Sequence, residues 1–161
     1  MNDVSGRLGY QPQVLPAREV KAQVAELSSA VLDMVRVKGR VSEGGPMELP
    51  WDQGEDPDEF HNVTHLWSLY GVGESALEGG MAALAQQLPE KGWHVVRNGP
   101  DSSRNRNQEI LATHLATHVQ LEATFERNAD VGDPRISFSV YSRFFVSAQE
   151  HGQEPGREPG Q

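Results

Sequence analysis

The chain has 161 residues and a mass of 17.7 kDa, a length that predicts one compact domain with a substantial core. Its formal net charge of -9 has the wrong sign for a surface that neutralises nucleic-acid phosphates or anionic lipid headgroups, so both partners are disfavoured. The absence of cysteine excludes disulfide bonds, thiolate zinc sites, iron–sulfur clusters and a cysteine nucleophile.

The negative charge is concentrated in two segments. Residues 48–59 hold six acidic side chains and no basic one, and the last twelve residues hold three acids, one arginine and no apolar side chain that would attach them to a core. The composition of the second segment is typical of a disordered tail. We therefore predict a flexible arm at 1–15, a single, nearly neutral domain at 16–148, and a disordered tail at 149–161.

The N-terminus carries no recognisable export signal. It has no basic n-region, no apolar h-region and no cysteine to receive a lipid, so the chain as written is expected in the cytoplasm. No apolar run approaches the roughly 20 residues of a membrane-spanning helix, which predicts a soluble protein without a transmembrane segment.

Two segments have apolar residues at the helical spacing of three and four. Residues 16–38 form the first, with Gly39 as its C-terminal exit. Residues 75–89 form the second and begin with the spacing of a capping box. Gly79 and Gly80 lie inside the second helix, where they either reflect loose helix propensity or permit close approach to another element.

Several other segments alternate as strands do. Residues 63–70 and 136–146 place apolar side chains on alternate positions, residues 93–97 form a short apolar run, and residues 40–49 predict a weaker, interrupted strand. In residues 109–126 the apolar side chains at odd positions share one face. This segment is too long for one typical strand. A three-residue loop at Leu115, Ala116 and Thr117 preserves that parity, so we predict a hairpin that turns there.

The order of these elements predicts the fold class. A helix, one or two strands, a second helix and four strands favour an α+β fold with two layers. We expect an antiparallel sheet of about five to six strands with both amphipathic helices packed on one face.

The histidines form two pairs with a spacing of four, His61/His65 and His114/His118. On one strand this spacing separates Cα atoms by roughly 13 Å, too far for one ion, which disfavours the first pair. Across the predicted three-residue loop, His114 and His118 would be opposed neighbours with Cβ atoms about 5 Å apart. They are the candidate metal ligands, although the sequence supplies no fixed third ligand.

The acidic segment supplies candidate residues for docking on a basic protein, because complementary charge speeds association. These candidates are Asp52, Glu55, Asp56, Asp58 and Glu59. Four of them, Asp52, Asp56, Asp58 and Glu59, are also oxygen ligands suited to calcium, but they lack the register of an EF-hand loop and Pro57 interrupts them. A solvated loop is therefore preferred to a calcium site.

Four aromatic side chains are interpreted as structural, in the core or at its edge, rather than as a ligand cage. They are Trp51, Trp67, Trp93 and Phe144. The sequence contains no arrangement of acid, base and nucleophile that identifies a reaction, so no catalytic residue and no cofactor are predicted.

Three runs carry a family resemblance: HLWSLYG at 65–71, LPEKGWHVV at 88–96 and VYSRFF at 140–145. Together they resemble a family of small lipoproteins from Streptomyces and related actinobacteria, over about residues 17–146. The resemblance implies a secreted, lipid-anchored α+β domain with no assigned activity.

This chain departs from that family in two ways. The leader and its lipid-bearing cysteine are absent, so the export form is either truncated here or not made. The family tends to carry two further cysteines, which the alignment places near Trp51 and Phe144. The resemblance therefore implies that an apolar contact between these two residues replaces a disulfide bond.

We expect from these observations a non-catalytic domain that binds an unknown protein or small ligand. One alternative is a metal-binding protein or metal-assisted hydrolase that uses His114 and His118. Another is an accessory or immunity-like protein that docks through the acidic loop at 48–59.

Overall fold

The computed structural model describes residues 9–50, 60–127 and 133–148, and all structural statements below refer to them. In chain order the elements are β1 (Val14–Leu15), α1 (Ala17–Val35), β2 (Arg40–Val41), β3 (Met47–Pro50), β4 (His61–Tyr70), α2 (Glu74–Glu90), β5 (Trp93–Pro100), β6 (Gln108–His114), β7 (Gln120–Glu126), β8 (Arg135–Tyr141) and β9 (Val146–Ser147).

The fold is α+β, with two helices packed on one antiparallel sheet, as the sequence predicts. Among the described residues the sheet has seven strands in the order β2-β4-β8-β7-β6-β5, and β3 pairs with β4 beside β2. The extra strand arises because the weak segment at 40–49 divides into β2 and β3. β2 and β3 lie at one edge of the sheet and β5 lies at the other.

The core fills the space between the helices and one face of the sheet. Alternation along β6, β7 and β8 places their buried apolar side chains on that face, and one stripe of each helix covers them. The fully buried side chains include Val24 and Val31 from α1, Leu77, Met81, Leu84 and Leu88 from α2, and Leu69, Ile110, Leu121, Phe125 and Ile136 from the sheet.

The two helices approach each other closely at Gly80. A Cβ at this position would lie 2.7 Å from Val35 Cγ1 and 3.0 Å from Val37 Cγ2, whereas a Cβ at Gly79 would meet nothing within 4 Å. Close approach therefore explains Gly80, one of the two interpretations that the sequence left open. It does not explain Gly79.

Helix α1 ends at Val35, three residues before the predicted end. Arg36 adopts a left-handed conformation with φ of 61° and terminates the helix. Gly39 is used elsewhere: it passes against β4, where a Cβ would lie 2.7 Å from the Tyr70 carbonyl oxygen. Residues 36–39 therefore form the connection to the sheet rather than a last helical turn.

The predicted capping box at the start of α2 is wrong. The helix begins at Glu74 with Gly73 as its N-cap, and the Leu77 N–H donates to the Gly73 carbonyl oxygen at 3.2 Å. Ser75 is consequently inside the first turn. The helix ends at Glu90, and Pro89 lies inside its last turn.

The predicted hairpin between β6 and β7 is present, but its predicted three-residue loop is wrong. The His114 N–H donates to the Val119 carbonyl oxygen at 2.8 Å, so the loop consists of the four residues 115–118. His118 adopts φ of 65° and donates its N–H to the His114 carbonyl oxygen at 2.7 Å. An even-numbered loop reverses the parity of the buried positions.

The reversed parity corrects the predicted buried face of β6. Ile110 and Ala112 face the core, opposite Ala123 and Leu121 of β7. Leu115, predicted on the buried face, is 62% exposed at the turn.

The prediction of one strand over 136–146 is wrong in its last part. β8 ends at Tyr141, and after Ser142 the alternation changes, because the next buried side chain is Phe145 rather than Phe144. β9 pairs in parallel with β1, outside the main sheet. The described part of the predicted N-terminal arm is thereby joined to the end of the domain.

The four aromatic residues interpreted as structural differ in their placement. Trp67 and Trp93 are buried, and the Trp67 ring stacks on Phe138 at a centroid distance of 4.0 Å. Phe144 is partly buried and packs against Phe60. Trp51 lies outside the described residues, so its contact with Phe144 stays a prediction.

Candidate functional site

The backbone after β8 is fixed by hydrogen bonds to β4. Ser142 exchanges bonds with Val63: its N–H donates to the Val63 carbonyl oxygen at 2.9 Å, and its hydroxyl accepts from the Val63 N–H at 3.0 Å. The same hydroxyl donates to the Arg143 carbonyl oxygen at 2.8 Å. Phe145 and His61 then exchange two backbone hydrogen bonds of 2.7 and 2.9 Å.

Tyr10 lies against this segment and supports Arg143. The Tyr10 hydroxyl accepts a hydrogen bond from the Phe144 N–H at 2.8 Å, which fixes the position of the phenol ring. The Arg143 guanidinium carbon lies 4.1 Å from the centroid of that ring, in cation–π geometry. Among the described residues, Arg143 forms no ion pair with a carboxylate.

These residues form one wall of a cleft of about 450 Å³, within the size range of small-molecule sites. The remaining walls come from the chain before α1, from the first turns of α1 and from the β6–β7 loop. We call this hollow the terminal cleft; its lining is Tyr10, Gln11, Gln13, Leu15, Val20, Gln23, Ala116, Thr117, His118, Ser142, Arg143, Phe144 and Phe145.

The described polar lining of the terminal cleft consists of amide, hydroxyl, imidazole and guanidinium groups. Three glutamine side chains, His118 and Arg143 line it, and no Asp or Glu of the described residues belongs to the lining. The three hydroxyls in this lining are already engaged: the Tyr10 hydroxyl accepts from the Phe144 N–H. Ser142 is bonded as described above, and Thr117 Oγ1 accepts from the Val119 N–H at 3.3 Å and shares a 2.8 Å hydrogen bond with His114 Nδ1.

The two candidate metal ligands face different hollows. His118 lines the terminal cleft, whereas His114 contacts the Trp93 ring at a centroid distance of 5.0 Å and lines a groove of about 370 Å³ between the helices and β6. Burial lowers the pKa of His114, which favours its neutral form. Within residues 9–50, 60–127 and 133–148, no three His, Asp or Glu side chains are grouped to hold a metal ion.

The other histidine pair lies on β4, and its members have separate partners. His61 Nδ1 lies 2.5 Å from Glu48 Oε2, across the pair formed by β3 and β4. His65 Nδ1 lies 2.9 Å from Ser28 Oγ on α1. Burial lowers the pKa of His65, and a hydrogen bond to the backbone of Gly44 partly opposes that shift.

The acidic candidates for partner binding lie outside the described residues. Of the acids at 48–59, Glu48 alone is described, and it is bonded to His61. The basic loop between β5 and β6 lies at the sheet edge opposite β3. Its neighbour Arg97 pairs with Glu109 of β6 at 3.4 Å.

The sheet face opposite the helices holds a second, shallower hollow of about 390 Å³. Short hydroxyl side chains dominate it, among them Ser68, Ser137 and Ser139, together with the Glu122 carboxylate. The Tyr141 hydroxyl donates to Glu122 Oε2 at 2.8 Å. Burial and this carboxylate raise the pKa of Tyr141 above its ordinary range.

Comparison with known proteins gives no family for this chain. No protein-family model matches it, and neither the curated proteins nor the solved structures yielded a match. The resemblance to actinobacterial lipoproteins therefore stays a prediction. In the described part of the chain, neither helix is long and apolar enough to cross a bilayer.

Sequence reasoning missed both Tyr10 and Arg143. Tyr10 lies in the predicted arm, where no periodic pattern surrounds it, and 134 positions separate it from its partner Phe144. No local signal identifies such a contact.

Proposed function

We propose that this chain is a non-catalytic binding domain that holds a small polar ligand in the terminal cleft. The observation that carries the proposal is the placement of Arg143. Its guanidinium group lies over the Tyr10 ring, in a cleft whose described lining contains no carboxylate. Binding sites combine a concave surface with a few fixed polar groups, and this cleft has both.

The engagement of the cleft's hydroxyl groups supports binding rather than catalysis. A serine or threonine nucleophile needs a base that accepts its proton. The Ser142 hydroxyl instead donates to the Arg143 carbonyl oxygen. Thr117 shares a hydrogen bond with His114 Nδ1, but no carboxylate of the described residues is bonded to His114 or lines the cleft beside His118 to orient either imidazole as a base.

The alternatives gain no support from the described residues. A metal-assisted reaction at His114 and His118 lacks a third ligand there. Docking through the acidic segment depends on residues outside the described ranges. The actinobacterial resemblance implies a small α+β domain with no assigned activity, which is compatible with the proposal.

The proposal is tested by NMR of the full chain with single compounds from four classes: hexoses, nucleosides, polyamines and N-acetylated amino acids. At least one should move the backbone amide signals of residues 142–145 and of His118. The variant Gln23→Trp, which places a large side chain in the cleft, should abolish that response, while Gln86→Trp on the exposed face of α2 should not. Failure of every class to move these signals would refute a ligand site there.

A further inference from the structure

We infer that the terminal cleft recognises the carboxylate of a small, singly charged acid, with Arg143 as the group that binds it. This inference rests on the proposed function and adds the class of ligand. It is carried by the charge of the cleft lining, by the way Arg143 is held and by the groups that surround it.

The lining has the opposite charge to the chain as a whole. The chain carries a net charge of -9, but among the residues that the structure describes no Asp or Glu lines the terminal cleft, and Arg143 supplies a fixed positive charge. A carboxylate that enters the cleft therefore meets no like charge among the described lining residues. Because Arg143 has no carboxylate partner among those residues, binding an acid displaces no described ion pair.

Arg143 is held in place before any ligand arrives. Its carbonyl oxygen accepts from the Ser142 hydroxyl, and the next N–H along the chain, that of Phe144, donates to the Tyr10 hydroxyl. The Tyr10 ring then supports the guanidinium group. A guanidinium held this way loses less conformational entropy on binding than a free arginine side chain, and its planar fork matches a carboxylate.

The amount of positive charge favours a carboxylate over a phosphate. One guanidinium balances one negative charge in a bidentate pair, whereas a phosphate monoester carries close to two charges at neutral pH. The other donors, such as Gln13 and Gln23, are neutral amides suited to the polar atoms of the ligand's body. Leu15 and Phe144 offer apolar surface beside them.

The test compares N-acetylphenylalanine with its primary amide, which has nearly the same shape and no charge. Binding to the full chain is measured by calorimetry and by NMR at low salt. A charge-assisted hydrogen bond typically contributes about 1.5–3 kcal/mol, so we expect the acid to bind roughly tenfold or more tightly than the amide. The acid should move the amide signals of residues 142–145.

Variants separate the charge from the fork geometry. Arg143→Gln should reduce the affinity for the acid to that for the amide, and Arg143→Lys, which keeps the charge without the planar fork, should give an intermediate affinity. Arg104→Gln, an exposed arginine in the β5–β6 loop, is the matched control and should leave binding unchanged. Because Arg143 is itself exposed, these variants should retain the wild-type melting temperature.

Three outcomes would overturn the inference: equal affinity for acid and amide, failure of both to bind, or tighter binding of phenyl phosphate than of the acid. If a hexose or nucleoside nevertheless moves the signals of the cleft, the proposed function stands and only the ligand class fails. If none of the four classes does so, the proposed function fails as well.

Discussion

Replacement of Gly80 by alanine tests the close packing of the two helices. The added Cβ would lie 2.7 Å from Val35 Cγ1 and 3.0 Å from Val37 Cγ2. Valine is branched at Cβ and stiff, and Val35 is only 1% exposed, so neither side chain can move away easily. Gly79 is the matched control, because a Cβ there meets nothing within 4 Å.

The two substitutions share one favourable effect and differ in one unfavourable effect. Alanine in a helix interior is about 1 kcal/mol more favourable than glycine, and this gain applies at both positions. Overpacking typically costs about 1–3 kcal/mol and applies only at position 80. Gly79→Ala should therefore increase the free energy of unfolding by about 1 kcal/mol, and the two variants should differ by about 1–3 kcal/mol.

Urea unfolding followed by circular dichroism measures this difference, with thermal unfolding as a second assay. For a chain of this length, each kcal/mol corresponds to a shift of about 2–4 °C in the melting temperature. In the Gly80→Ala background, Val35→Ala should be less destabilising than in the wild type, because it removes one of the clashing methyl groups. Equal stabilisation by Gly79→Ala and Gly80→Ala would refute the close approach of the helices.

Three further predictions concern polar groups in and around the core. Ser142→Ala leaves the buried Val63 N–H without its side-chain acceptor, so the free energy of unfolding should fall by about 1–3 kcal/mol; a loss below about 0.5 kcal/mol in urea unfolding would contradict this. Burial lowers the folded-state pKa of His65 and His114, so the unfolded state takes up protons more readily as the pH falls. The free energy of unfolding should therefore have its full value above about pH 6.5 and should decrease towards pH 5.5. Urea unfolding at the two pH values checks this, and replacing both histidines by glutamine should reduce the decline. Tyr141 has a raised pKa and should ionise at a higher pH than an ordinary tyrosine. In an alkaline absorbance titration, Tyr141→Phe should therefore keep every ionisation that the wild type shows in the ordinary tyrosine range, and loss of one of these would contradict the prediction.

The sequence predicted the layers of the fold because burial imposes a period on helices and strands alike. The stripe of apolar residues along α1 and the alternation along β4 each identify a face that must be covered. These patterns extend over whole elements, so a small error at an end does not change the fold class.

The same patterns do not determine the length of the loop between β6 and β7. The leucines at the odd positions 111, 115 and 121 favoured a loop that preserves the parity, and neither glycine nor asparagine marks the turn. In the structure His118 adopts φ of 65° and extends the loop to four residues. The loop is one residue longer than predicted, and this difference decides which side chains of β6 are buried. It also places His114 opposite Val119 instead of opposite His118.

The terminal cleft depends on contacts that local patterns do not encode. Its walls come from both ends of the domain and from the β6–β7 loop, and no short segment contains more than one wall. Arg143 lies two residues after the end of β8, where the alternation stops, so the sequence pattern indicates only an exposed polar residue. Its support by Tyr10 becomes visible only when the chain is folded.

The most direct test of the binding proposal is the NMR signal of the Arg143 side-chain Nε–H group. The chain has eleven arginines, and Arg143→Lys assigns this signal by its loss. On addition of N-acetylphenylalanine, the Arg143 signal should shift with saturation while the signal of Arg104 stays in place. An unchanged Arg143 signal at saturating acid, or equal shifts at several arginines, would contradict a specific carboxylate site in the terminal cleft.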